Sequence, residues 1–380
     1  QGPRYRFQQL MKYLNYVTEE TDFPIAEFQS RTSMASQAIG YGKWLMVVHM
    51  LRRTVGDAAF LKSLREFFRL HLFKKASFQD LRKVFERVTG RDLRPFFDQW
   101  VRRTGAPVLQ LTEAVVVQGK EGAQELEIQI TQKQHGPLFV LDVPIALWDE
   151  DSGPARVETV RLKERDQVFR FPVSSAPRAV MLDPWYDLFR RLDRREAPPS
   201  LGQTYGAERA AVLVSREEPS PMTAAYRQFG AGLGHPILEE AKVSAENLSL
   251  WVLGRSHPMA RLLIPWLREK AVQMQDGGIT IEGQTYDLKT HSVVLTVPHP
   301  DHPARAITWL MANTPAALRG LLRKLPHYGK YGFLVFAGDA PSNVAKGVWP
   351  AARIGLMRRF HSGPLPLPAR PPLVPFAPTP

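Results

Sequence analysis

The sequence predicts a multidomain α and β chain: a helical subdomain, a small antiparallel β-sandwich, then an α/β layer domain. Three observations predict it. Apolar residues recur at helical spacing up to residue 105, the period changes to two near Val108, and beyond residue 203 strand-like and helix-like runs alternate. The chain has 380 residues, which at roughly 150 residues per domain is two or three domains. The expected boundaries are 1–107, 108–195 and 203–360, followed by a proline-rich tail over 361–380.

The helical part rests on stripes and caps. Ser36 to Val55 places Tyr41, Leu45 and Val48 on one stripe with Trp44, Val47 and Leu51 beside it, and Gly56-Asp57 ends that helix and starts the next. Phe60, Leu61, Leu64, Phe67 and Phe68 form the following apolar face. Ser77 and Asp80 make a capping box ahead of Phe78, Leu81, Val84, Phe85 and Val88, and Gly90 closes that helix. Pro95 sits in the first turn of a short helix with Phe96, Phe97, Trp100 and Val101, closed by Gly105 and Pro107.

Strands come next. Leu126, Ile128 and Ile130 alternate with polar residues, as do Phe139, Leu141, Val143, Ile145 and Leu147, where Pro144 indicates an edge strand. Further strands fit 156–162, 167–173 and 178–182. The run Glu196 to Gly202 (EAPPSLG) is a linker. Beyond it strands at 210–214, 248–253, 279–281, 293–297 and 332–336 alternate with helices at 222–229, 259–272 and 315–325, the pattern of a partly parallel sheet. Eight prolines in 362–380 predict a mobile tail with polyproline character, a composition that also suits a ligand for a proline-recognition module.

Composition narrows the function. Zero cysteines exclude disulfides, thiolate zinc sites and a cysteine nucleophile. Net charge is +13, yet bases and acids are mixed, as in Asp187 to Glu196 (DLFRRLDRRE), and no nucleic-acid-binding signature accompanies them. The run reads as a solvated arginine-rich surface, and no nucleic-acid partner is expected. No apolar run reaches the length of a membrane span. The chain begins at Gln1 rather than Met, which reads as a fragment or processed product.

Local motifs are weak. His299-Pro300-Asp301-His302 is a turn, since prolines prevent a helix from carrying both imidazoles, and His235 with Glu239 and Glu240 lacks a second histidine. The Gly230–Gly234 run follows a helix rather than a strand, unlike a phosphate loop. Gly254-Arg255-Ser256 lacks the closing glycine of a nucleophile elbow. The segment from His327 to Pro350, rich in aromatic and polar residues, reads either as a peptide-binding or entrance-shaping element or as a structural loop.

One composite feature is stronger. Tyr41-Gly42-Lys43, His49-Met50-Leu51-Arg52, Val55-Gly56-Asp57 and Phe60 are followed by Thr89-Gly90, Asp92-Leu93, Phe96-Phe97, Gln99-Trp100-Val101 and Gly105-Ala106-Pro107. This order resembles the region just downstream of the zinc site in the bacterial-type, aminopeptidase N-like gluzincin metallopeptidases. It is dense from Phe23 to Leu109 and continues more weakly through Leu182-Asp183-Pro184. The resemblance implies a hydrolase that cuts peptide bonds near a free N-terminus with zinc as cofactor and a peptide as substrate. It also implies a catalytic role for Tyr41, the tyrosine that opens the family's Y-x-K-G helix and donates its phenol to the oxyanion of the tetrahedral intermediate. A phenol stays protonated at neutral pH and can act as such a donor. Two positions depart from the pattern: Gly42 stands where an acidic or polar residue is usual, and the bulky Trp44 where glycine is usual.

The family's H-E-x-x-H is absent among the ten histidines, and no histidine precedes Tyr41. Truncation of a longer peptidase, with zinc ligands upstream, is one explanation. The alternative is a non-catalytic binding or scaffold protein whose α/β domain carries the function. The compartment stays open between periplasm and cytoplasm, with the periplasm favoured, and the sequence carries no signal of oligomeric state. This chain alone is expected to bind no stoichiometric zinc and to show no peptidase activity. Metal analysis after dialysis, together with a peptidase assay, checks this; one tightly held zinc per chain would refute it.

Overall fold

A computed structural model describes residues 2–119, 123–148, 153–173, 177–238, 247–302, 304–350 and 355–370. The chain forms two compact units, one of Gln1–Tyr13, Val17–Asp193 and Arg353–Pro380, the other of Leu14–Tyr16 and Arg194–Ala352. The fold is multidomain with helical, antiparallel and mixed α/β parts. The change of period near Val108 is a change of secondary structure within the first unit.

The first unit opens with helices α1 (Gly2–Tyr16), α2 (Met34–Gln37), a π-helical turn (Ala38–Lys43), α3 (Trp44–Val55), α4 (Asp57–His71), α5 (Phe78–Thr89) and α6 (Arg94–Val101). The capping box at Ser77 is present in full: its hydroxyl accepts from the Asp80 amide, and the Asp80 carboxylate accepts from the Ser77 amide. Gly90 closes α5 at φ 68°, a left-handed conformation that favours glycine. Leu51, Phe60, Leu81, Phe85, Phe97 and Val101 form the core between these helices.

Six strands succeed the helices: β1 (Leu109–Gln118), β2 (Gln124–Gln132), β3 (Leu141–Trp148), β4 (Arg156–Leu162), β5 (Asp166–Val173) and β6 (Ala179–Leu182). One antiparallel sheet runs β1-β2-β5, and β3 lies between β4 and β6 in a second. Pro144 therefore does not mark an edge strand. Its carbonyl accepts from the Asp183 amide, beyond Leu182 at the end of β6, and the β6 ladder begins at Ile145. The donor that proline lacks falls on that same side, where the ladder has already ended.

The run 187–196 is likewise not a solvated surface. Asp187, Arg190 and Glu196 are buried. The Arg190 guanidinium lies against the Asp183 carboxylate at 3.1 Å, both fully enclosed.

In the second unit α7 (Leu201–Tyr205), β7 (Ala210–Val214), α8 (Ser220–Gly232), β8 (Ser249–Leu253) and α9 (Ala260–Glu269) precede a small antiparallel sheet of β9 (Gln273–Gln275), β10 (Gly278–Ile281) and β11 (Gln284–Asp287). Then come β12 (His291–Pro298), β13 (Ala306–Met311), α10 (Pro315–Lys324), β14 (Phe333–Ala337) and β15 (Ser342–Gly347). The six-stranded sheet has the order β15-β14-β12-β13-β8-β7, with β7, β8 and β13 parallel. Both faces are covered. Leu250 and Val252 of β8 join α9 and the small sheet, while Trp251 and Leu253 join α7, α8 and α10. β13 is not legible in the sequence, because its run Ala-Ile-Thr-Trp-Leu-Met, apolar but for Thr308, carries no regular alternation to separate strand from helix.

The chain returns to the first unit with β16 (Met357–Arg359), which pairs antiparallel with β6. The tail expected to be mobile is docked over 361–370; residues 371–380 lie outside the described residues. No described helix is long and apolar enough to cross a membrane. Ser77→Ala removes the acceptor for an otherwise unpaired amide at the start of α5 and is expected to cost about 1 kcal/mol; chemical denaturation measures this.

Candidate functional site

Local sequence builds the turn that carries Tyr41. Ser33 caps α2, accepting from the Ser36 amide, and the path then widens into the π-turn at Ala38–Lys43. Such turns insert a residue into the helix and recur at functional sites. The insertion rotates the downstream residues by about 100° relative to a continuous 3.6-residue helix. Tyr41, within this turn, is 57% exposed, whereas Leu45 and Val48 of α3 are half-buried. Its ring meets Phe28 edge-on at 5.4 Å between centroids. Gly40 makes that possible, since a Cβ there would sit 2.2 Å from the Phe28 ring.

Lys43 anchors the same turn from within. Its side chain is buried, and its ammonium donates to the carbonyls of Arg103 (3.1 Å) and Gly105 (3.4 Å) and lies 5.4 Å from the Phe189 ring centroid. Asp22 holds the other side of Gly105, accepting from its amide at 2.6 Å and from the Tyr13 hydroxyl at 2.8 Å. Burial lowers the Lys43 pKa to about 8, against the raising effect of Asp22. Trp44 turns to Phe78, edge-on at 4.8 Å, and packs against the helical core rather than beside Tyr41.

The remaining motif residues build the frame. Arg52 grips Asp57 through two 2.7 Å bonds across Gly56. Gln99 donates to the Val140 carbonyl and accepts from its amide, and Trp100 stacks on Phe139. Among the motif residues beginning at Tyr41, the tyrosine presents an exposed aromatic hydroxyl, while Phe97, Trp100 and Val101 are buried.

A second constellation was not legible in the sequence. The buried Asp187 Oδ1 lies 2.9 Å from His49 Nε2, 3.0 Å from Arg6 Nη2 and 2.8 Å from Arg370 Nη1, while Oδ2 is 2.6 Å from Arg370 Nη2. Burial pushes this carboxyl up, but hydrogen bonds from His49 and Arg370 and the charge of Arg370 outweigh it and hold the group well below the usual range. Burial lowers the His49 pKa, opposed by its bond to Asp187. Asp187 borders a cavity of about 400 Å³ together with Met50, Arg53, Phe96, Gln99 and Trp100. The only signal was a charged run that composition alone reads as surface.

The weaker motifs are structural. His299 Nδ1 accepts from the Asp301 amide, and His302 carries the same turn. His235 lies just past α8, Gly230 lies within it, and Glu239 and Glu240 lie outside the described residues. Gly254 follows β8 at φ 115°, where a Cβ would meet Ser215 at 2.5 Å. In the 327–350 segment Trp349 is buried against Trp266 and Phe333, and Lys346 lies over the rings of Tyr328 and Tyr331. Much of the segment is the antiparallel β14–β15 pair at the edge of the six-stranded sheet.

Residues 5–100 match the Peptidase family M1 domain. The chain is 35% identical over 77 residues to Aminopeptidase N of Lactococcus lactis subsp. lactis, covering 20% of this chain and 9% of that protein. It is 28% identical over 123 residues to Aminopeptidase N of Lactobacillus delbrueckii subsp. lactis, covering 30% and 15%. Among solved structures, Legionella pneumophila aminopeptidase A in complex with aspartic acid is similar at a TM-score of 0.36 and 16% identity, over 46% of this chain and 20% of that one. The helical segment is thus similar to the M1 aminopeptidases, and the chain spans a small part of these relatives' length.

Lys43 generates a pH prediction. The unfolded chain keeps this proton up to about 10.5, the folded chain only to about 8. Between those values the unfolded state binds more protons, so the contribution of Lys43 to stability rises with pH. The melting temperature of the native protein minus that of Lys43→Met is expected to increase from pH 7.5 to pH 10, as thermal melts across that range would show.

Proposed function

We propose that the chain serves as the C-terminal portion of a zinc-dependent aminopeptidase, with the first unit completing the wall of the catalytic domain and zinc ligands supplied from sequence upstream of Gln1. The similarity of residues 5–100 to the M1 domain supports this reading. Among the described residues no group of three or more His, Asp or Glu side chains is placed to hold a metal ion. The described residues therefore do not fit a zinc site, and no step proposed for them runs through one.

The observation that carries the reading is the exposed Tyr41 on a π-turn fixed from beneath. Phe28 positions its ring, while Lys43, two residues on, ties the turn to the carbonyls of Arg103 and Gly105. A phenol held in this way donates a hydrogen bond to the oxyanion that develops when a peptide carbonyl is attacked. The substrate is a peptide bearing a free N-terminus. Because the donor is fixed before the reaction, little reorganisation opposes the stabilisation.

Tyr41→Phe in the intact enzyme is expected to lower kcat by about a hundred- to a thousand-fold with little change in KM. The melting temperature should hold, because the exposed hydroxyl leaves and the ring contact with Phe28 remains. Steady-state kinetics with a melting curve tests this; an unchanged kcat removes Tyr41 from the oxyanion role.

A further inference from the structure

The start of the proline-rich segment, Gly363-Pro364-Leu365-Pro366-Leu367-Pro368-Ala369-Arg370, has no part in the proposed peptide hydrolysis. It nevertheless lies along the first unit in an ordered way. Leu365 and Leu367 pack against a cluster of Ala146, Trp148, Ala155, Ala179 and Met181. Between them the Pro366 carbonyl accepts from the Trp148 indole N–H at 2.7 Å and from the Ala155 amide at 3.1 Å. At the far end the Arg370 guanidinium lies 3.7 Å over the Trp185 ring and pairs with both oxygens of Asp187.

Three features distinguish this from an ordinary strand. The contact is partial: Pro364, Pro366 and Ala369 are exposed, while Leu365, Leu367, Pro368 and Arg370 are half-buried. The segment forms no regular ladder with a sheet, since proline carries no N–H. Its fixed points are an indole N–H on a backbone carbonyl, alternate apolar side chains and a terminal guanidinium on an aromatic face and a carboxylate. Grooves that read extended proline-rich ligands use the same physics, because a preformed extended chain loses little entropy on docking. The receptor side also has supports apart from its occupant: Trp148 stands in β3, which is paired with both β4 and β6, and Asp187 is additionally held by Arg6 and His49.

We propose that the first unit carries a recognition groove for a proline-rich peptide of the pattern Leu-Pro-Leu-Pro-x-Arg, and that residues 363–370 occupy it in cis as a replaceable ligand. The partner is a segment of that chemistry on another polypeptide. A ligand tethered a few residues beyond β16 acts at an effective concentration of order mM. It therefore excludes a dilute competitor until its own contacts weaken. The groove and its occupant are independent of any peptidase activity.

The test uses the full chain with Leu365→Asp, Leu367→Asp and Arg370→Ala, which vacates the groove, and a fluorescein-labelled peptide GPLPLPAR read by fluorescence anisotropy. The vacated chain should bind the peptide at least about ten-fold more tightly than the native chain. The peptide with alanine for arginine should bind at least about ten-fold more weakly, having lost the charge-assisted pair and the aromatic contact. No gain in binding by a folded vacated chain, or equal binding of a scrambled peptide, overturns the proposal. Hydrogen exchange on the single variant Arg370→Ala guards against misfolding of the triple variant. Exchange at the Ala155 amide and the Trp148 indole should quicken about ten-fold or more while the β3 backbone amides are unchanged. Ala155 exchanging at the rate of the β3 amides would make the tail an integral part of the fold and overturn the proposal as well.

Discussion

The Asp187 carboxylate is the constraint on which the first unit most depends. Arg6 of α1, His49 of α3 and Arg370 of the tail converge on it. The turn that carries it is closed by Asp183, whose Oδ1 accepts from the Asp187 amide at 2.6 Å while Oδ2 meets Arg190. Arg6 also donates to the carbonyls of Trp185 and Tyr186, at 2.9 Å each. Compared with apolar packing, buried ion pairs contribute little net stability, but losing one partner costs about 3–5 kcal/mol. The cluster thus acts mainly by permitting a single arrangement of α1, α3 and the turn after β6, in which Arg6 and His49 hold Asp187, and alternative arrangements of these elements would strand a buried charge.

Within that frame most residues of the aminopeptidase-like motif serve structure. Arg52 and Asp57 join α3 to α4, Gln99 links α6 to Val140 before β3, and Lys43 closes the N-terminal end of α3 onto the turn after α6. Lys43 is costly to bury, as its lowered pKa records, and the two carbonyls and the Phe189 ring partly offset that cost. Exposed Tyr41 is the counterpart of this buried anchor: a rigid interior supports a polar aromatic group at the surface. The second unit follows a simpler rule, with strands buried on both faces and each face covered by helices or a small sheet.

Features that depend on neighbours within a turn or a strand could be read from the order of residues. The Ser77–Asp80 capping box, the closure of α5 at Gly90, the alternation in β2 and the order β7, α8, β8, α9 were legible because their causes are local. The ordered motif that starts at Tyr41 was legible too, as a pattern along the chain, and its part up to Trp100 falls within the residues that match the M1 domain. The tertiary structure decided what depends on distant partners. Asp187 and Arg190 read as surface until Arg6, His49, Asp183 and Arg370 surround them, because composition does not record which charges meet. Pro144 lies in an inner strand because the β6 ladder starts one residue beyond it. Tyr41 is exposed on a π-turn, with Gly40 fitting against Phe28 twelve residues earlier in the chain. The proline segment docks because Trp148 and Asp187, remote in sequence, present a donor and a carboxylate to the Pro366 carbonyl and the Arg370 guanidinium. Short-range sterics act through spacing and can be read from it, whereas burial and charge pairing are set by which surfaces the folded chain brings together.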